Sequence, residues 1–508
     1  MAAVSGKRKR VEVVSQQKPV KKAALSQPKN SSATTKFDPQ KSSSSKKASS
    51  AATNTTTSDG AATSQHPVYI QIVTGSYERV LHGFQARIPQ SALKSASQDE
   101  KVSISDTFLF AAHASAIRCL AISPSEDADK RLLATGSSDE RINVYTLSTA
   151  PPPPGARPNL PSLSGVAAAE NPRNKSLGSL VHHDRAITKL QFPIKSKLFS
   201  SAEDSTIAIS RTRDWTMLGS MKAPVPKPQG RPSGDTAAPG EIPAGVNDFA
   251  IHPSQKLMLS VGRGEKSLRL WNLTTGKKAG VLNFEVDLLK QVGESKFSSG
   301  EGRRVIWDAA GENYVVGFER GAALFGINSK PKAVIKPDRP TKIHQMRFMS
   351  LSEKTSLLAL STEDGRILFY DIQSGGEISE GTKQLPQLVC VAQLGGEAAG
   401  VSGRIKDFEI LDLPGSSLFV TAGSDGAIRL WSVQSSDLGN GAESESTTRQ
   451  VGALIASHET GDRVTCLGAF LLDGKAQDGM EDAAEDVAEA ESNGGAERGS
   501  EDGDSDSD

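Results

Sequence analysis

Cysteine is nearly absent: the 508 residues hold three, Cys119, Cys390 and Cys466, far apart and with no CxxC pair. That excludes a disulfide framework and a zinc knuckle, and an intracellular, reducing home is the natural expectation. The eight histidines show no HxxxH or HxH spacing, and the one adjacent pair is His182–His183. No metal site and no cofactor is expected from such spacing. No apolar run in the sequence reaches the roughly 18 residues a membrane span needs. The opening MAAVSGKRKR has no apolar stretch behind its charges, so it does not read as a secretory signal. A soluble protein with no membrane partner is expected.

Signatures of catalysis are missing too. GRGEKS at Gly262–Ser267 fails as a phosphate loop, because GxxxxGK[ST] requires Gly directly before Lys and a helix after it, whereas SLRLWNL reads as a strand. No GxSxG elbow occurs. The expectation is a protein without enzyme chemistry.

Aromatic residues are scarce at 5%, but glycine is plentiful at 46 residues. Short β-type runs broken by Gly, Asp, Asn and Ser fill the middle of the chain, which points to an all-β fold rich in tight turns. The net charge of zero, from 59 basic and 59 acidic residues, is a cancellation between the two ends. Residues 1–65 are Ser, Thr, Ala, Lys and Gln with almost no large apolar side chains. Residues 475–508 are similarly poor in apolar surface but acidic, ending SEDGDSDSD. Neither buries enough surface to offset chain entropy, so both read as disordered tails flanking a folded region over 66–474.

That region repeats itself. GSDGAIRLW ends at Trp431, GSSDERINVY at Tyr145 and STEDGRILFY at Tyr370. RGEKSLRLW ends at Trp271 with Glu265 in the acidic place; SAEDSTIAIS ends at Ser210, GSYERVLHGF at Phe84 and GFERGAALF at Phe325. These seven copies share an acidic residue, an aliphatic three on and usually an aromatic six on. The acid suits a tight turn between antiparallel strands, where its side chain satisfies backbone donors. A small sheet built this way leaves an apolar face that only a neighbouring sheet covers, so the copies form a closed set. VYIQIVTGSYERVLHGFQA lacks a preceding inner strand, and DRVTCLGAFLLD is an inner strand with nothing after it. Together they complete one blade and close the ring. Low-complexity insertions are read near 149–175, 222–244 and 375–400 and assigned to surface loops.

The pattern resembles the WD40 family, which implies a seven-bladed β-propeller. The resemblance implies a buried His–Ser/Thr–Asp–Trp network, with His113, His183 and His458 before new strands and Asp139, Asp204, Asp364 and Asp425 in the turns. Trp271 and Trp431 take the aromatic place, followed by Asn and Ser where the family has Asp. Family members contact partners at the start of each inner strand. Here that face comprises Arg118, Lys189, Asn247, Asp248, Arg404, Lys406, Asp407 and Arg463. A polar ring rich in Arg suits recognition.

The ordered segments AHASAIRCLAIS, HHDRAITKLQF, GVNDFAIHP and GRIKDFEIL, each ahead of its repeat copy, are more specific than any one repeat. Taken together, the chain is similar to the p21-activated-kinase-interacting WD-repeat family, whose fungal members are the maintenance-of-killer propellers. The resemblance implies a non-enzymatic scaffold in nucleolar assembly of the large ribosomal subunit and pre-rRNA processing. Its partners would be pre-ribosomal proteins and assembly factors, with pre-rRNA touched through its backbone, and the protein a monomer within a large particle. A second implication is negative regulation of a p21-activated kinase; a chromatin adaptor is a third reading. Lys7, Arg8, Lys9 and Arg10, then Lys18, Lys21 and Lys22, form two basic blocks that read as a bipartite nuclear import signal.

Overall fold

The computed structural model describes residues 67–472, apart from 95–100, 126–129, 152–170, 172, 226–243, 296–297, 352–355, 375–383, 402 and 440–447. The import residues Lys7 to Lys22 and the acidic segment lie outside the described residues, as do most of the insertions near 149–175 and 222–244. All described strands belong to one compact unit, Thr63–Asp508.

Among the described residues seven sheets, six antiparallel ones of four strands and a mixed one of five, make a seven-bladed β-propeller. The first blade joins the two ends of the described chain. Its inner strand is Val464–Leu471, followed outward by Val68–Ser76, Val80–Ile88 and Ser103–Ala111. Register runs from Ile70 opposite Leu471 to Gly75 opposite Cys466, so the last strand closes the ring. The inner strands of blades two to seven are Ile117–Ile122, Ile187–Ile194, Val246–Ile251, Arg304–Trp307, Ile343–Ser350 and Ile405–Leu413. In the sixth blade a short strand, Arg449–Gln450, adds in parallel to Cys390–Gly395. The strand Cys390–Gly395 falls inside the stretch 375–400 read as an insertion, a correction with a simple cause: it is only six residues long, between Gly-rich sequence on either side, although Ala392 and Leu394 are buried.

Burial follows position in the blade. The second strand of the seventh blade, Ser416–Gly423, is buried at every residue, because a neighbouring blade covers each face. The outer strand of the fourth, Lys277–Asn283, is exposed or half-buried throughout. The apolar core is therefore divided into seven clusters, each shared by two adjacent blades. Ile72 and Phe84 of the first blade pack with Val420 and Leu430 of the seventh, so closure is sealed by apolar burial as well as by backbone pairing.

The repeated acid has a local geometric role. In five copies the residue after it has positive φ: Arg79 (74°), Glu140 (70°), Ser205 (65°), Gly365 (80°) and Gly426 (84°). The turn demands a left-handed residue there, and glycine supplies it without strain in only two of the five.

Candidate functional site: the mouth of the central channel

The turn acids come first, since they set the loops at the mouth. Asp139 accepts from Ala114 N–H at 2.9 Å and Arg141 N–H at 3.1 Å, and His113 Nδ1 lies 3.1 Å away. His113 Nε2 meets Thr135 Oγ1 at 2.8 Å. In the third blade His183 contacts Asp204 at 3.0 Å and Ser200 at 2.8 Å. Burial alone would raise the Asp204 carboxyl, but bonds from His183 and Thr206 outweigh it and hold it at about 2. Trp271 Nε1 donates to Ser260 at 2.8 Å, and Trp431 Nε1 to Thr421 at 3.2 Å.

Three blades replace histidine by arginine. Glu265 pairs with Arg269, Asp364 with Arg366 at 2.6 Å, and Asp425 with Arg429 at 2.7 Å. His458 does not join Asp425. It lies within the outer strand Ala453–Glu459, opposite Ile428, where its ring packs edge-on to Phe84, 5.1 Å away. Its nearest carboxylate is Asp106 at 4.0 Å. Thr460, two residues on, bonds the turn instead, through Gly426 O at 2.9 Å.

Inner strands surround a channel of about 650 Å³. Near the start of each inner strand except that of the fifth blade, the pairing register shifts by one residue. Such a bulge re-aims one side chain. The extra residues are Arg118, Thr188, Asn247, His344, Lys406 and Thr465. Four of these six tie forward to the next blade: Arg118 to Glu203 at 2.8 Å, Thr188 to Val246 O at 2.6 Å, Asn247 to Gly302 O at 3.0 Å and Thr465 to Ile117 O at 2.6 Å. His344 and Lys406 do not. The His344 Nε2 atom is buried without a hydrogen-bond partner. Among the described residues Lys406 makes no hydrogen bond or ion pair.

Below this layer runs a belt of blade-to-blade bonds. Lys189 reaches Asp248 at 2.5 Å; Asp248 also accepts from Phe249 N–H and, across the blade boundary, from Val305 N–H, both at 2.9 Å. Asp407 repeats the arrangement, accepting from Phe408 N–H at 3.0 Å and Leu467 N–H at 3.1 Å. Asp248 is fully buried and Asp407 nearly so. The reading of both as partner contacts is corrected: their carboxylates are consumed inside the ring, as is the Asn247 amide. Of the remaining face residues, Arg118, Lys189 and Lys406 line the channel. Arg404 pairs with Glu363 at 3.4 Å, and Arg463 covers the Tyr77 ring at 5.7 Å.

Sequence reasoning missed Arg304, His344, Arg347 and Glu409. Arg304 donates to His344 O at 2.9 Å. Burial lowers His344 to about 4, and Lys406, Arg304, Arg404 and Lys342 push in the same direction. Burial also lowers Lys406, helped by Arg404 and Arg463 and opposed by Glu363. The mouth is therefore electropositive over the fifth to seventh blades. Deeper in, burial pushes Glu409 up to about 7, with Arg347 pulling down and Asp407 pushing up. Superposing the inner strands as RVIW, IHQMRF and IKDFEI would have exposed these residues; the weak repeat of the fifth blade hid that register.

Among the described residues no group of three His, Cys, Asp or Glu side chains is placed to hold a metal ion. No helix there is long and apolar enough to cross a membrane.

Known proteins bear on this geometry. The model of the WD domain, G-beta repeat, matches residues 105–146, the second blade's repeat. The p21-activated protein kinase-interacting protein 1-like of Xenopus laevis is 26% identical over 406 residues, spanning 80% of this chain and 83% of its own length. Protein MAK11 of Saccharomyces cerevisiae is 28% identical over 421 residues, spanning 78% and 82%. The Shk1 kinase-binding protein 15 of Schizosaccharomyces pombe is 22% identical over 411 residues, spanning 80% and 86%. The chain is a seven-bladed β-propeller that carries a match to the WD domain, G-beta repeat, and is similar over about four fifths of its length to the p21-activated kinase-interacting proteins and Protein MAK11.

Proposed function

We propose that the chain is a non-enzymatic scaffold that works in the nucleolus, in assembly of the large ribosomal subunit and processing of its precursor RNA. The observation that carries this reading is the channel mouth. A closed ring presents Arg304, Arg404, Lys406 and Arg463 on one side, a surface suited to an anionic partner within an RNA–protein particle. The family resemblance supplies the ribosomal assignment, and the basic blocks Lys7–Arg10 and Lys18–Lys22 supply the route into the nucleus. Pre-ribosomal proteins and assembly factors are the proposed partners, with precursor RNA contacted through phosphates.

A second reading is supported by the relatives' names: a protein that binds a p21-activated kinase and restrains it. Affinity purification of the tagged full chain from its own cells separates the two. Large-subunit precursor RNA with assembly factors supports the scaffold reading. Kinase without precursor RNA replaces it with the second, and histones alone replace it with a chromatin adaptor.

A further inference from the structure

The face opposite the mouth is formed by the turns that join the first strand of each blade to its second, and the third to its fourth. Its charge is uneven. In the third blade Lys195 and Lys197 stand at the first of these turns, and Arg211 and Arg213 at the other. Thr212 ties the two turns together, its Oγ1 donating to Lys195 O at 2.7 Å and its N–H to Ser196 O at 3.1 Å. In the fourth blade the Leu273 N–H donates to Lys256 O at 2.9 Å, which brings Lys256 beside the turn that leads into Lys277 and Lys278. Against these seven cations the two blades set one acid on this face, Asp214, which already accepts from Thr216 Oγ1 at 2.7 Å and pairs with Arg211 at 3.4 Å. Lys197, Arg213, Lys256, Lys277 and Lys278 are exposed and form no ion pair among the described residues.

The described chain leaves the ring at the same face. Its closing inner strand Val464–Leu471 ends there, and Arg131 of the second blade lies over the Phe470 ring at 4.9 Å. Lys130 O in turn accepts from Lys195 Nζ at 3.2 Å. Contacts thus lead from the end of the closing strand to the third blade. Glu126, Asp127 and Asp129 of the second blade lie outside the described residues, and the basic surface begins at Lys195.

We propose that the acidic segment 475–508 folds back across this face and docks on the cations of the third and fourth blades. The contact goes beyond the scaffold reading and does not depend on it. The segment holds 13 acidic side chains against two basic ones. Charge selects the sector, because on the same face the sixth and seventh blades offer Asp371, Asp412 and Asp437. Reach is sufficient. Eight residues separate Leu472 from Glu481, an extended span of about 30 Å. Only two steps from blade to blade, each of about 10 Å for packed sheets, lie between the closing strand and the third blade. The tether holds the acids near the face at an effective concentration on the order of millimolar. Single exposed pairs are weak and screened by salt, so the contact draws on many at once and is released at high ionic strength. A free polyanion gains this face only by displacing the segment.

The test treats the full chain at low salt with a water-soluble carbodiimide, which joins lysine amines to carboxylates in contact, and identifies the linked peptides by mass spectrometry. An equal mixture of normal and nitrogen-15-labelled chains separates links within one chain from links between two. The expected result is links within one chain from acids of 475–508 to Lys195, Lys197, Lys256, Lys277 or Lys278, lost at about 0.5 M salt. Arg211→Gln with Arg213→Gln removes two cations and none of the reporting lysines. At the salt concentration that halves the parent's yield, this double variant should lower the links about fivefold, the loss of two exposed pairs. Melting curves confirm that it folds. An unchanged yield in the double variant overturns the contact. Links spread evenly over the lysines of all blades, links between chains only, or links to Lys7–Lys22 in their place also overturn it. If the chain shows no internal links and added single-stranded RNA shields the same lysines, the face belongs to RNA and the proposal falls.

Discussion

Gln345 and Asp407 join the sixth blade to the seventh through one side-chain hydrogen bond, 3.1 Å from Nε2 to Oδ1. The Asp407 carboxylate then passes the connection on to Leu467 N–H in the closing strand. One side chain therefore links three consecutive blades at the seam where the two ends of the ring meet. Asp407→Ala leaves Gln345 and two backbone N–H groups without their acceptor. A loss of about 3 kcal/mol in unfolding free energy is expected, in the range for orphaning buried donors of a charged partner. Urea denaturation measures it, and a loss below the scatter of such experiments would show that the belt carries no stability.

Glu140 occupies the left-handed turn position with φ of 70° and is exposed. Glycine takes the same position after Asp364 and Asp425. Glu140→Gly should stabilise the protein by about 0.5–1 kcal/mol, the relief of αL strain less the added chain entropy. Thermal unfolding reads this as a higher midpoint; a lower one would mean that the turn holds Glu140 by contacts outweighing its strain.

Gly136 marks a close approach of two blades. A Cβ there would lie 2.6 Å from Ile187 Cγ2 and 2.9 Å from Cys119 Sγ. Gly75 repeats the geometry one blade earlier, 2.6 Å from Ile117 Cγ2 and 2.8 Å from Cys466 Sγ. Gly136→Ala should therefore destabilise by about 1–3 kcal/mol through overpacking. Adding Cys119→Ala in the same chain should recover part of that loss, which a double-mutant comparison of denaturation midpoints tests.

Glu409 gives the channel a pH dependence of definite sign. Its folded value of about 7 stands above the ordinary carboxyl range. Between the two values the folded state holds a proton that the unfolded state has released. The contribution to stability is thus greatest below the ordinary value near ~4.3 and is lost as pH rises towards 7, with no further change above. Glu409→Gln should flatten that slope and make the protein at least as stable as the parent at pH 8. Denaturation midpoints across this range decide it: an unaltered slope would assign the effect to another group.

Much of the fold is legible locally. The acid, the aliphatic three on and the aromatic six on are fixed by one tight turn and the alternation of a strand, so Asp139, Asp204, Asp364 and Asp425 stand where the repeat puts them. Closure is legible too, because a missing inner strand at one end and a spare one at the other leave one solution. Partners of those acids are less so. Asp139 takes His113, whereas Asp425 takes Arg429 from the strand that follows it, and either choice satisfies the turn equally well.

Sequence alone thus determined the number of blades, their order and the strand that shuts the ring, since each follows from periodicities within about ten residues. Only the tertiary structure decided what the mouth has left to offer. Asp248 reaches Val305, 57 residues away, and Gln345 reaches Asp407, 62 residues away. Those contacts exist because the closed ring sets neighbouring inner strands side by side. They bury some of the charged residues that the sequence places on the face, and they leave His344 and Lys406 untied.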